Sequence, residues 1–204
     1  MSHPQSTTIY RIAAIAGVGT ALILLVNAAK RAEIIPTSAV TQLVAPLAQI
    51  LALAFITGLY VAFGRRTSDL VAYLLNAFAL ASLVGVEFVI NLVFSELPTA
   101  TGDALRDGPL GIALTVASIA FLLGTLSFVA TMLRTRRIPK VPLIMYAYGA
   151  GPVAFRAFVP EAALDLGLVL MAVGIGWLGI WLYRSAPRLA ETTTESSPGR
   201  LQHV

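Results

Sequence analysis

Long apolar runs, separated by short clusters of charged residues, are the feature that most constrains how this chain folds. An apolar run of about 18 residues or more is long enough to cross the hydrocarbon core of a bilayer as a helix. Only 12% of the residues are charged and 57% are hydrophobic, whereas a soluble domain carries about 25% charged residues. The runs do not alternate with the period-two pattern of a membrane barrel. We therefore predict an all-α, polytopic membrane protein, because a spanning helix satisfies its own backbone groups in lipid.

Six apolar runs predict a six-transmembrane-helix bundle that forms one domain over residues 1–189. The remaining residues, 190–204, are polar, and we expect this tail to be disordered. The predicted spans are about 9–29, 39–63, 70–94, 109–133, 141–159 and 162–183.

The charged loops predict the orientation of the bundle. Basic residues lie in the loops between the second and third spans, GRRTSD, and between the fourth and fifth, RTRRIPK. The loop between the third and fourth spans, SELPTATGDALRDGP, is net acidic. Because basic loops stay on the cytoplasmic side, six spans predict that both termini are cytoplasmic. Lys30 and Arg31, which follow the first span, break this rule, and Glu33 offsets them only in part.

The residue types that the sequence lacks exclude several kinds of site. There is no cysteine, which excludes disulfides, thiolate catalysis and cysteine-ligated iron–sulfur clusters. The two histidines, His3 and His203, lie at the polar ends, so a bis-histidine haem has no ligands within the bundle. No lysine lies in the middle of a span, so a retinal Schiff base has no attachment point. We expect no cofactor and no metal.

The net charge of +4 raises the question of a nucleic-acid partner. The basic residues flank membrane spans, as cytoplasmic loops do, and they do not form the basic stripe of a nucleic-acid-binding protein. We therefore expect the lipid bilayer, and no nucleic acid, as a partner.

One carboxylate, Glu87, lies inside the third apolar run, within LVGVEFVINLVF. Counting about 1.5 Å per helical residue places it on the order of 10 Å below the outer boundary. Asn91 follows at i+4 on the same face, and Tyr73 and Asn76 extend a polar stripe toward the other end. Lipid cannot satisfy such a stripe, so we predict that it faces other helices or a wet cavity.

Polar side chains of other spans are predicted to lie at the same depth. Arg156 is the expected counter-ion of Glu87, because an isolated charge in mid-span costs about 2.5–3.5 kcal/mol. The segment MYAYGAGPVAFR contains two glycines and Pro152, so a kink is expected near 147–148, and broken membrane helices often line substrate sites. The candidate ligand-binding residues are Glu87, Arg156, Asn91, Gln49, Asn27, Tyr148 and Asp165.

The second half of the chain carries a recognisable pattern. It contains FLLGTLSFVATMLRTRRIPKVPLIMYAYGAG and then VPEAALDLGLVLMAVGIGWLGIWLYRS, with a basic–Ile–Pro–basic turn at 137–140 and a closing glycine-then-Trp-Leu segment. In these parts the chain resembles a bacterial family of six-span membrane proteins, the domain-of-unknown-function family 4386. The resemblance implies six helices and a bacterial cytoplasmic membrane, and it supplies no catalytic residues.

Three functions are open from the sequence, and we favour the first. It is binding or transport of a small lipophilic or amphipathic molecule in an outward-facing polar pocket around Glu87. The second is an intramembrane enzyme on a lipophilic substrate, with Glu87 as general acid or base and only Asp165 as a nearby second acid. The third is an accessory or assembly subunit in which Glu87 and Arg156 only hold helices together. A second copy of the chain, or a membrane partner subunit, is open as a partner.

Overall fold

The structure of the protein is a computed structural model that describes residues 3–135, 137–156 and 158–195. Within these ranges the side chains of residues 5–191 are described, and no strand is present. The helices are α1 (His3–Arg31), α2 (Ala39–Val44), α3 (Leu47–Phe63), α4 (Thr67–Phe88), α5 (Thr99–Arg106), α6 (Pro109–Leu133), α7 (Lys140–Ala154) and α8 (Glu161–Glu195). A π-helical turn, Val89–Val93, and a 3-10 turn, Phe94–Glu96, extend α4.

The longer helices α1, α3, α4, α6, α7 and α8 form a closed ring. Each packs against the next one along the chain, and α8 closes the ring against α1. Arg31 at the end of α1 pairs with Glu161 at the start of α8, while Arg11 near the other end lies over the ring of Tyr183. These contacts show that α1 and α8 run antiparallel to each other. The ring therefore has two ends, which we call the basic end, with loops 64–66 and 134–139, and the Glu87 end.

Among the residues that the structure describes, five helical segments are long and apolar enough to cross a membrane, which indicates a helical, membrane-embedded protein. They are Gln5–Arg31, Ala39–Phe63, Thr67–Glu96, Pro109–Leu133 and Glu161–Glu191. The predicted span 141–159 is not among them, because α7 has 15 residues and ends at Ala154. Pro152 lies in its last turn and has no backbone N–H to donate. The kink expected near 147–148 stays a prediction.

The predicted second span, 39–63, matches the apolar segment Ala39–Phe63. Within it, residues 45–46 separate α2 from α3, because Pro46 cannot donate the hydrogen bond that would continue α2. The loop between the third and fourth spans contains the short helix α5. The predicted disordered tail is helical up to Glu195, because Ala186 and Ala190 are fully buried and keep α8 packed. The rest of that tail, 196–204, lies outside the described residues.

The predicted polar stripe of the third span faces other helices. The Tyr73 hydroxyl lies 3.0 Å from the hydroxyl of Thr57 on α3. Thr125 of α6 donates to Asn76 Oδ1 at 3.3 Å, and both residues are fully buried. The stripe thus joins α4 to both of its neighbours in the ring.

Small residues bring neighbouring helices of the ring close together. A Cβ added to Gly149 of α7 would lie 2.5 Å from the carbonyl oxygen of Gly167 on α8. A Cβ added to Gly179 of α8 would lie 2.9 Å from the carbonyl oxygen of Ala14 on α1. Such glycines allow backbone-to-backbone packing, which drives helix association where lipid removes the hydrophobic driving force.

We expect Gly149→Ala to lower the stability of the protein in detergent by about 1–3 kcal/mol, because the added methyl group overpacks the crossing of α7 and α8. Gly151→Ala is the matched control, since an added Cβ there meets nothing within 4 Å. Thermal unfolding of the two variants measures the difference. Equal stabilities would contradict the close crossing.

Candidate functional site

Glu87 lies in the last turn of α4, with a side chain that is only 18% exposed. Its Oε1 lies 3.8 Å from Nη1 of Arg156, and its Oε2 accepts a hydrogen bond from Asn91 Nδ2 at 2.9 Å. The structure thus brings together three of the candidate residues. The contact with Arg156 is loose, because charge-assisted hydrogen bonds between nitrogen and oxygen are about 2.7–2.9 Å long.

Asn91 connects this carboxylate to α1. It lies in the π-helical turn Val89–Val93, and its Nδ2 also donates to the main-chain carbonyl of Glu87 at 2.9 Å. Its Oδ1 accepts from Nζ of Lys30 at 3.0 Å. Asn91 therefore ties Glu87 to a cation that the sequence did not assign to the site.

Lys30 and Arg31 are the functional-site residues that sequence reasoning missed. Arg31 forms an ion pair with Glu161, and its Nε lies 3.3 Å from Oδ1 of Asp165. The candidate residue Asp165 therefore pairs with Arg31, at the junction of α1 and α8. The sequence contained a signal for them, because the basic residues at 30–31 break the predicted distribution of positive charge between the two sides of the membrane. In the structure their partners are the carboxylates of Glu161 and Asp165 and the side-chain amide of Asn91.

A small cavity of about 50 Å³ lies inside the ring, and all six ring helices contribute to its wall. Its polar lining comes from Thr20, Asn27, Gln49, Glu87 and Tyr146. Asn27 Oδ1 is buried and has no hydrogen-bond partner among the described residues. A polar cavity of this size can hold water, which satisfies such atoms. The structure thus brings Asn27 and Gln49 to Glu87, inside the bundle.

Tyr148 does not join this group, because its side chain is 74% exposed and lines no part of this cavity. Its role in ligand binding stays a prediction. Tyr146, two positions earlier, is 3% exposed and lines the internal cavity. At about 3.6 residues per turn, positions two apart lie on nearly opposite faces of a helix. Because the apolar sequence around these two tyrosines favours neither face, only the packing of α7 distinguishes them.

A larger groove of about 600 Å³ lies at the Glu87 end, between α4, α6 and the segment that joins α7 to α8. Arg31, Arg106 and Arg156 supply its positive charge. Much of its wall is apolar and includes Val86, Ile90, Phe94, Leu114, Ile119 and Leu122. Its shape and chemistry suit a molecule with a polar head and an apolar body, since ligand pockets are mostly apolar with a few oriented polar groups.

The ion pair lies between these two spaces, where the sequence predicted a single pocket. Arg156 lines the groove, and Glu87 lines the internal cavity. The two side chains meet at 3.8 Å. Any change that withdraws Arg156 toward the groove therefore leaves Glu87 with Asn91 and Lys30 as its polar neighbours.

In the described part of the chain, no group of three His, Asp or Glu side chains comes together in the way that would hold a metal ion. Comparison of the chain with protein-family models, with curated proteins and with solved structures finds no match in any of the three. The resemblance to the six-span family therefore stays a prediction.

We expect Glu87→Gln and Arg156→Met to be coupled. Glu87→Gln leaves Arg156 without its carboxylate neighbour, and Arg156→Met leaves Glu87 with Asn91 as its remaining direct polar contact. The double variant should therefore lose less stability than the sum of the single losses, by about 1 kcal/mol. Denaturation in detergent measures the cycle. In a control cycle, Glu87→Gln is combined with Arg188→Met at the basic end, and the stability losses of these two single variants should be additive. Additivity in both cycles would show that the pair does not interact.

Proposed function

We propose that this protein is an integral membrane protein that binds, or carries across the membrane, a small amphipathic molecule whose polar head is anionic. The observation that supports this function best is the groove of about 600 Å³, which combines an apolar wall with three arginines. Its volume falls within the range of about 300–1,000 Å³ that small-molecule sites occupy.

Arg156 is the cation that we assign to the head of the ligand. Arg31 is already held by two carboxylates, those of Glu161 and Asp165. Arg156 has a single carboxylate neighbour at a loose 3.8 Å, and its side chain is 34% exposed. An anionic head in the groove would form shorter, charge-assisted hydrogen bonds with this guanidinium.

The ligand and Glu87 compete for Arg156 in this proposal. When an anionic head takes the guanidinium, Glu87 keeps its hydrogen bond from Asn91, and through Asn91 it stays linked to Lys30. The carboxylate is therefore not left without a polar partner, which keeps the cost of the exchange low. This exchange also connects occupancy of the groove to the internal cavity, as transport would require.

The contacts of Glu87 favour this role over general acid–base catalysis. One carboxylate oxygen accepts from Asn91 and the other faces Arg156. Both oxygens therefore already have neighbours within the protein, whereas a general acid or base needs an oxygen within hydrogen-bond reach of its substrate.

We further propose that α7 is a sixth span and that both termini are cytoplasmic, in a bacterial cytoplasmic membrane. A Cβ on Gly149 would approach Gly167, and one on Gly174 would approach Pro142, so α7 runs antiparallel to α8. The helix therefore leads from the basic end, at Lys140, to the Glu87 end, at Arg156. Membership of the six-span bacterial family is part of the same proposal.

Cysteine labelling tests the proposed topology, and the absence of native cysteine makes each introduced thiol unique. We expect a membrane-impermeant maleimide to label Thr101→Cys, in α5, in intact cells. Ser68→Cys, at the basic end, should be labelled only after the membrane is opened. Labelling of both sites in intact cells, or the reverse pattern, would contradict the orientation.

Native mass spectrometry with a long-chain fatty acid and the matching long-chain alcohol tests the proposed ligand class. We expect the protein to bind the fatty acid more tightly, and Arg156→Gln to weaken fatty-acid binding about tenfold, which is about 1.4 kcal/mol. Alcohol binding should change little, because the apolar wall is intact.

Two further variants make this test specific. Ser118→Trp should reduce binding of both probes, because Ser118 lines the groove and an indole would fill it. Arg188→Gln removes the same charge at the basic end and should change neither affinity. Equal fatty-acid binding by the parent and Arg156→Gln would overturn the assignment.

A further inference from the structure

A second charged cavity lies at the basic end of the ring, far from Glu87 in the fold. It has a volume of about 310 Å³ and lies among the end of α3, the start of α4 and the end of α6. Four arginines line it, Arg65 and Arg66 from one loop and Arg134 and Arg137 from another. Two loops that are distant in the sequence therefore place guanidinium groups around one concave space.

The positive charge of this cavity is not neutralised by the residues that line it. Asp69 is the one carboxylate among them. Its Oδ2 accepts the backbone N–H groups of Arg65 and Arg66 at 3.0 Å each, and its Oδ1 accepts from the hydroxyl of Ser68 at 3.4 Å. Asp69 thus holds the start of α4, and its single negative charge offsets only part of the charge of the four arginines, so the lining stays net positive.

The guanidinium groups differ in how firmly they are held. Arg65 donates to the carbonyl oxygens of Gly64 at 2.9 Å and Ala62 at 3.2 Å, which fixes it to the wall. Among the residues that the structure describes, Arg66, Arg134 and Arg137 form no ion pair. Three unpaired guanidinium groups and one anchored group therefore surround a space that is large enough for a phosphate and its first substituent.

We propose that this cavity binds a phosphate-bearing anion. Guanidinium groups match the tetrahedral oxygens of phosphate with paired hydrogen bonds. The cavity lies where spanning helices end, which is the depth of lipid head groups, and clusters of basic residues at that depth recognise anionic lipids. The phosphate can come from a lipid head group or from a soluble phosphate compound, because both present the same chemistry.

Two lipids with the same acyl chains provide the first test, by native mass spectrometry of the full chain in a neutral detergent. Phosphatidylglycerol should bind at least tenfold more tightly than diacylglycerol, which lacks the phosphate. An excess of inorganic phosphate identifies the source. Displacement of phosphatidylglycerol by inorganic phosphate assigns the site to soluble phosphates as well as lipids, and resistance to displacement assigns it to a lipid head group.

Matched variants locate the bound lipid. Arg66→Gln with Arg134→Gln should remove one bound phosphatidylglycerol per chain, or weaken it about tenfold. Arg184→Gln with Arg188→Gln removes the same charge from the same end of the ring but outside the cavity, and should retain that lipid. Arg156→Gln, in the groove of the proposed function, should retain this lipid as well. A failure of one proposal can therefore be distinguished from a failure of the other.

Three results would overturn this proposal. They are equal binding of the two lipids, parent-like phosphatidylglycerol binding by Arg66→Gln with Arg134→Gln, and an equal loss in the Arg184→Gln with Arg188→Gln control. The last result would mean that diffuse charge at the basic end attracts the lipid without a defined site. All four substituted arginines are exposed, so folding should survive, and size-exclusion chromatography checks it.

Discussion

The arrangement at the Glu87 end depends on one carboxylate that is held away from lipid. Glu87 is mostly buried, with Asn91 at 2.9 Å and Arg156 at 3.8 Å. A charge exposed to hydrocarbon would cost several kcal/mol, so the helices that carry these partners must surround it. The π-helical turn that contains Asn91 also brings α1 into contact through Lys30. Glu87 thereby joins α4, α1 and the end of α7.

Close packing of the ring determines where space remains. Glycines let α7 approach α8, and α8 approach α1, to backbone contact. The interior is left with a cavity of about 50 Å³, while the groove between α4 and α6 keeps about 600 Å³. The protein thus offers room for a ligand at the edge of the ring and room for water at its centre. The Glu87–Arg156 ion pair lies at the boundary between them.

Much of this could be predicted from the sequence, and the rest depends on packing. Hydropathy was sufficient for helix α6, predicted at 109–133 and observed at Pro109–Leu133, and the i+4 spacing placed Asn91 beside Glu87. Periodicity could not choose between Tyr146 and Tyr148, because both have apolar neighbours on all sides. The role of Arg31 depends on its contact with Glu161 of α8, which no local sequence pattern encodes.

The sheltered ion pair is tested most directly in a lipid bilayer, by solid-state NMR of the protein labelled with ¹³C at glutamate carboxyl groups and ¹⁵N at arginine side chains. With 3.8 Å between Oε1 and Nη1, the account expects a dipolar coupling between Glu87 and Arg156. That coupling should disappear in Arg156→Gln and persist in Arg188→Gln. A spectrum of the parent protein with no such coupling would contradict the account.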